Sequence, residues 1–128
     1  MFEDLLDILF EKMPMGLALF DRDARLTRCN PTWGEYIEAY TPSSREQVRP
    51  GVSLYELAPG SEEDLRPLFR RVLQGETVSL EALRLQSGNT VSYWDVVLTP
   101  VIEDGDVAGV LDVTTDATGR VLALEAVS

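Results

Sequence analysis

Histidine is missing from this 128-residue chain, and cysteine occurs once, as Cys29. These two shortages remove whole classes of chemistry. Without histidine there is no Ser-His-Asp or Cys-His nucleophile pair, no HExxH zinc site and no histidine-ligated haem. One thiolate cannot assemble a zinc or iron–sulfur cluster within the chain. Nor can it close an internal disulfide, so nothing in the sequence indicates an oxidising compartment. Basic residues are scarce as well: 11 Lys and Arg stand against 22 Asp and Glu, for a net charge of −11. Phosphate backbones and anionic membrane surfaces repel a chain this acidic unless it holds a local basic patch. The nearest approach to one, Arg66, Arg70 and Arg71, is offset by Glu62, Glu63 and Asp64. No nucleic-acid or membrane partner is therefore expected. No apolar run approaches the ~20 residues of a membrane span. The start, Met1-Phe2-Glu3-Asp4, lacks the basic opening of a signal peptide. A cytoplasmic address is the default expectation.

What is present is ordinary for a globular domain, with 45% hydrophobic and 26% charged residues. The length suits a single core that buries roughly two-thirds of the unfolded chain's surface. Phe2, Leu5, Leu6, Leu9, Phe10 and Met13 recur at helical spacing and stop before Pro14, an amphipathic first helix. Leu17–Phe20 and Leu26–Cys29 read as a hairpin around the polar run Asp21–Arg25. Asn30-Pro31 signals a helix start, with Trp33, Tyr36 and Ile37 on one side of the helix that follows. Residues 41 to 51 form a loop, and Ser61 with its following acids opens another helix whose stripe is Leu65, Leu68, Phe69, Val72 and Leu73. Pro67 inside that helix predicts a kink, or a proper start only at Arg66. Thr77–Leu85, Thr90–Ile102 and Val107–Thr115 read as three strands joined by Gly-containing turns. Sequential hairpins imply one antiparallel sheet, with helices inserted between its second and third strands.

This order carries a resemblance. Gly16 through Asp21 matches a G-x-x-x-F-D entry strand, Asn30-Pro31 caps the next helix, and Val72–Glu76 precedes the third strand. Tyr93–Val101 matches a long fourth strand, and Gly109–Leu111 through Asp116-Ala117-Thr118 a last strand with a closing D-x-T. With these pieces in sequence over about residues 5 to 118, the chain resembles a PAS domain. The resemblance implies an α+β fold: a five-stranded antiparallel sheet whose concave face and helices surround a ligand cavity. The expected division is an N-terminal amphipathic helix over 1–14, the PAS-like domain over 15–118, and the start of a C-terminal connector over 119–128. It also implies signalling through an attached kinase, phosphatase, cyclase or transcriptional output, often as a dimer. No output domain follows here, and an excised or isolated sensor module is expected.

Alternation divides the fourth strand between two faces, Trp94, Val96 and Leu98 against Tyr93, Asp95, Val97, Thr99 and Val101. Pattern alone sends the more apolar Trp94 face inward. The resemblance argues the reverse, because Tyr93-Trp94-Asp95 is similar to an aromatic-Trp-Asn step of flavin-binding relatives whose Asn faces the cavity. On that alignment Val110, Asp112 and Thr114 also face inward, while Leu111 and Val113 face outward. The pocket candidates are then Phe20, Cys29, Trp33, Tyr36, Phe69, Tyr93, Asp95, Val97, Thr99, Asp112 and Thr114. Asp95, Thr99, Asp112 and Thr114 read as polar groups orienting a ligand, or else as solvated residues on a half-wet sheet. A dry cavity of about 300 Å³ would cost on the order of 7 kcal/mol, most of a domain's ~5–15 kcal/mol stability. The pocket is accordingly expected to hold ligand or water, or to be filled by Phe20, Trp33, Tyr36, Phe69 and Tyr93.

Cys29 lies at the end of a strand in Arg28-Cys29-Asn30, unlike the helical N-C-R-F-L-Q of the family's flavin photosensors. A covalent flavin adduct is not expected, a buried inert thiol is the favoured reading, and the cofactor is left unidentified. Leu5, Leu9, Trp94, Val96, Leu98, Leu111 and Val113 are the candidates for a face covered by the first helix or by a second subunit. The reading is a sensor that binds a small ligand or partner and is not an enzyme. It is expected to be a homodimer passing its state to an output domain in cis or trans. Two alternatives stand beside it: a ligand-free dimerisation module, and a small enzyme using Asp95 with Asp112 for proton transfer.

Overall fold

Gly16–Asp21 (β1) and Leu26–Cys29 (β2) pair antiparallel around a turn organised by one carboxylate. Asp21 Oδ1 accepts from the backbone amides of Asp23 (2.9 Å) and Arg25 (3.0 Å), the local bonding that makes Asp a turn former. The computed structural model describes residues 2–127, without the side chains of Phe2 and Glu3. Met1, Ser128 and the expected place of Phe2 on the apolar stripe lie outside the described residues.

Asn30 then ties three elements together while almost wholly buried, at 1% exposure. Its Oδ1 accepts from Leu17 N at the start of β1 and caps Trp33 N in helix α2 (Pro31–Tyr40). Its Nδ2 donates to the carbonyls of Met15 and Phe10, the latter in helix α1 (Phe2–Lys12). All four polar bonds of a buried amide are thus made. After α2 come a single 3₁₀ turn at Arg45–Gln47, a one-turn helix α3 (Leu54–Leu57) and helix α4 (Glu62–Leu73). Strands β3 (Val78–Ser87), β4 (Thr90–Glu103) and β5 (Asp106–Asp116) follow, then helix α5 (Thr118–Val127).

Pro67 neither kinks α4 into two pieces nor delays its start, contrary to the expectation from sequence. Pro67 and the residue four before it, Glu63, are both exposed, so the carbonyl left without a donor faces solvent. Ser61 precedes the helix without a side-chain cap bond and instead donates its hydroxyl to Ala58 O at 2.7 Å.

The five strands form one antiparallel sheet in the order β2-β1-β5-β4-β3. Two strands distant in sequence, β1 and β5, are thereby neighbours at its centre. Gly109 permits their approach: a Cβ there would sit 2.0 Å from the Phe20 carbonyl oxygen. The helices α2, α3 and α4 cover one face, where Ala18, Phe20, Trp33, Ile37, Leu54, Phe69 and Val110 belong to a single core.

The register corrects the assignment of faces on β4. Leu98 pairs with Asp112, Val96 with Thr114 and Trp94 with Asp116. Directly paired residues share a face, so an inward Asp112 brings the Trp94 set inward with it. Trp94, Val96 and Leu98 are 6%, 6% and 2% exposed and form part of the core. They are not a dimer face. Tyr93, Asp95, Val97 and Thr99 lie on the outer face with Leu111 and Val113, and none of the four is a pocket residue. The alignment of Tyr93-Trp94-Asp95 was one residue out of step, and a one-residue slip exchanges the faces of a strand. The simple apolar alternation had the faces right.

No helix among the described residues is long and apolar enough to cross a membrane.

Candidate functional site

A cavity of about 90 Å³ lies between the inner face of the sheet and helices α2, α3 and α4. Helical spacing puts Trp33, Tyr36, Ile37 and Tyr40 of α2 on its wall, and Phe69 reaches it from α4. The sheet contributes Trp94, Val96 and Leu98 from β4 and Asp112 and Thr114 from β5. Edge-on ring contacts fix these aromatics: Phe20 with Trp33 (5.7 Å) and Phe69 (5.6 Å), and Trp94 with Tyr36 (4.9 Å) and Tyr40 (5.2 Å). Their bulk accounts for the cavity's modest size. At ~24 cal/mol per Å³ such a void costs about 2 kcal/mol if dry, which a domain tolerates.

Asp112 is the charged group in the wall. Its Oδ2 accepts from Trp33 Nε1 at 3.2 Å, and its Oδ1 accepts from the Thr114 hydroxyl. Among the described residues no Lys or Arg lines the cavity with it. Burial pushes its pKa up to about 6, even though both hydrogen bonds favour the ionised form. Asp112 is itself only half-buried, so part of this carboxylate keeps contact with solvent. At the β3–β4 end stand two serines: Ser92 Oγ accepts from Trp94 Nε1 at 2.8 Å, and Ser87 Oγ, on a residue 6% exposed, has no partner among the described residues.

A second set of contacts joins this wall to the C-terminal helix. The Tyr40 hydroxyl donates to Asp116 Oδ2, a bond that also raises the Tyr40 pKa. Asp116 Oδ1 accepts from Thr118 N at 2.9 Å, at the first turn of α5. On the outer face, Asp95 accepts two bonds from Arg120 of α5, at 2.7 and 2.8 Å, and one from Ala82 N at 3.0 Å. The Arg120 hydrogen bonds hold the Asp95 carboxyl down at about 2.

Of the residues expected at the pocket, Trp33, Tyr36, Phe69, Asp112 and Thr114 are brought together around the cavity. Phe20 is buried behind them against Trp33 and Phe69. Cys29 is half-buried at the end of β2 and does not line the cavity; burial pushes its thiol up, with Arg45 opposing and Glu11 adding. Asp95 and Asp112 sit on opposite faces of the sheet, so the carboxylate pair imagined for proton transfer does not form. Tyr40 was missed, although it follows Trp33 by seven residues on the same helical face. Ser87 and Ser92 carried no signal beyond alternation.

The sequence model of the PAS fold matches residues 10–122. This chain belongs to the PAS family. No curated protein sequence matches it. Among solved structures it is similar to a PAS domain from Colwellia psychrerythraea, at 18% identity and TM-score 0.68, over 94% of this chain and all of that one. It is similar to a sensory box sensor histidine kinase from Vibrio cholerae, at 21% identity and TM-score 0.59, over 91% of each chain. It also matches VqmA bound to DPO, at 18% identity and TM-score 0.64, over 91% of this PAS domain and 57% of VqmA. At such identities the likeness is one of fold.

Proposed function

We propose that this PAS domain is a sensor that takes a small ligand into the cavity and passes its occupancy to α5 and an attached output. The observation that carries the reading is the placement of Tyr40. It forms part of the cavity wall, and its hydroxyl holds the carboxylate that meets the first turn of α5. A ligand that moves the Tyr40 ring changes that contact. The shift it produces is limited to its differential affinity for the two arrangements. The DPO-bound neighbour supports a small molecule as occupant, and the histidine-kinase neighbour supports a kinase-type output, in cis or trans. On this reading the domain works in the cytoplasm, binds rather than catalyses, and acts as a homodimer.

A ligand-free dimerisation module is the second reading. Four exposed apolar side chains on α1 (Leu5, Leu6, Ile8 and Leu9) favour it. Native mass spectrometry of freshly purified protein separates the two. A small molecule retained at one per chain supports the sensor, and a dimer that carries none and gains none from a metabolite extract supports the module.

A further inference from the structure

The cavity holds a carboxylate without a counter-charge. Asp112 has two neutral donors, Trp33 Nε1 and the Thr114 hydroxyl, and no cationic side chain shares its wall. Burying an ionised carboxylate is costly unless an opposite charge accompanies it. Each of its oxygens keeps a lone pair beyond the one bond each accepts. Around it stand the rings of Trp33, Tyr36, Phe69 and Trp94, whose faces attract cations and whose surfaces are otherwise apolar. An anion would meet a like charge here and no donor stronger than a hydroxyl. A neutral ligand would leave the carboxylate uncompensated.

We infer that the ligand class of this cavity is a compact protonated aliphatic amine, its ammonium on Asp112 and among the aromatic rings and its alkyl body against Val96 and Leu98. The inference deepens the sensor reading and rests on it. Size narrows the class: at ~15 Å³ of cavity per water-sized atom, about 90 Å³ admits roughly six non-hydrogen atoms. The direction of the Asp112 shift agrees, since a carboxyl pushed up by burial is one whose pKa an arriving cation would draw back down. The other titratable groups facing the cavity, Tyr36 and Tyr40 of α2, are themselves pushed up and stay neutral.

Three probes with the same branched five-carbon skeleton test it: 3-methylbutylamine, 3-methylbutan-1-ol and 3-methylbutanoate, titrated by tryptophan fluorescence and calorimetry at neutral pH. The amine should bind about tenfold or more tightly than the alcohol, and the carboxylate most weakly. Asp112→Asn keeps the shape of the side chain and removes the charge, so the preference for amine over alcohol should vanish while alcohol binding remains. Equal or tighter binding of the alcohol, or an amine preference that survives Asp112→Asn, overturns the inference and leaves the sensor reading in place. A Leu98→Phe variant that fills the cavity fixes where binding occurs. If all three probes bind it as they bind the parent, the cavity is not the site and the sensor reading fails with the inference.

Discussion

Two polar residues of the interior, the buried Asn30 and the half-buried Asp112, are satisfied to different degrees, and their behaviour on substitution should differ accordingly. Asn30 makes every hydrogen bond its amide offers, to α1, β1 and α2. Asn30→Ala removes a helix cap and orphans buried backbone groups, so it should cost roughly 2–4 kcal/mol in chemical denaturation. Asp112 is the opposite case. Its folded-state pKa of about 6 lies above the ~3.9 of an unfolded chain, so the folded state binds the proton more tightly. The stability this gives is complete below about pH 4 and lost as pH rises through 6, a change of about 3 kcal/mol. Asp112→Asn should abolish this component, and urea melts of both proteins between pH 4 and 7 would show the difference growing with pH. A constant difference across that range would place the charge elsewhere.

At the scale of elements, the strands and helices were legible because each announces itself locally. The Asx-type turn at Asp21, the Asn30-Pro31 cap and the glycine turns at Gly88 and Gly105 all stand where sequence put them. The faces of β4 were harder, and for a physical reason. Alternation favours the Trp94 face, but the other face also carries large apolar residues, so a one-residue slip in the resemblance reverses the choice until the long-range pairing of Leu98 with Asp112 is seen. Part of the pocket was legible, Trp33 and Tyr36 through the helical spacing of α2, and Asp112 and Thr114 through the resemblance, which set the inward residues of β5. The hydroxyls of Ser87 and Ser92 were not, since a serine on a strand has no preferred face. Helix α5 offers a test at this scale. Tyr40→Phe deletes the donor to Asp116 and keeps the ring. Amide exchange should then quicken through the first turn of α5, residues 118 to 121, while the amides of β4 stay protected. Unchanged exchange in α5 would mean that Tyr40 holds nothing in place.

For the whole molecule, the proposed homodimer has a candidate surface in the apolar residues left outside the core. Leu5, Leu6, Ile8 and Leu9 are 50%, 50%, 56% and 49% exposed, and α1 is held to the domain chiefly through Asp7 and Phe10 on Arg28 and through Asn30. Leu5→Glu combined with Leu9→Glu keeps good helix formers and removes the apolar surface. On the proposed homodimer, sedimentation should find the parent dimeric and this double variant monomeric at the same concentration. A dimer that persists would move the interface to the outer sheet face around Val97, Leu111 and Val113.

The position of β5 between β1 and β4 has a consequence for biosynthesis. It is the last strand made, and it fills the central gap in the sheet. Until it arrives, a chain emerging from the ribosome holds two separate hairpins, β1–β2 and β3–β4, each with an open edge exposed to other chains. Every pairing of β1 with β5 must then close a loop of almost the whole domain, which slows folding relative to local contacts. The strand that completes the sheet also leads directly into α5, so the domain gains its cavity wall and its C-terminal helix in a single late event.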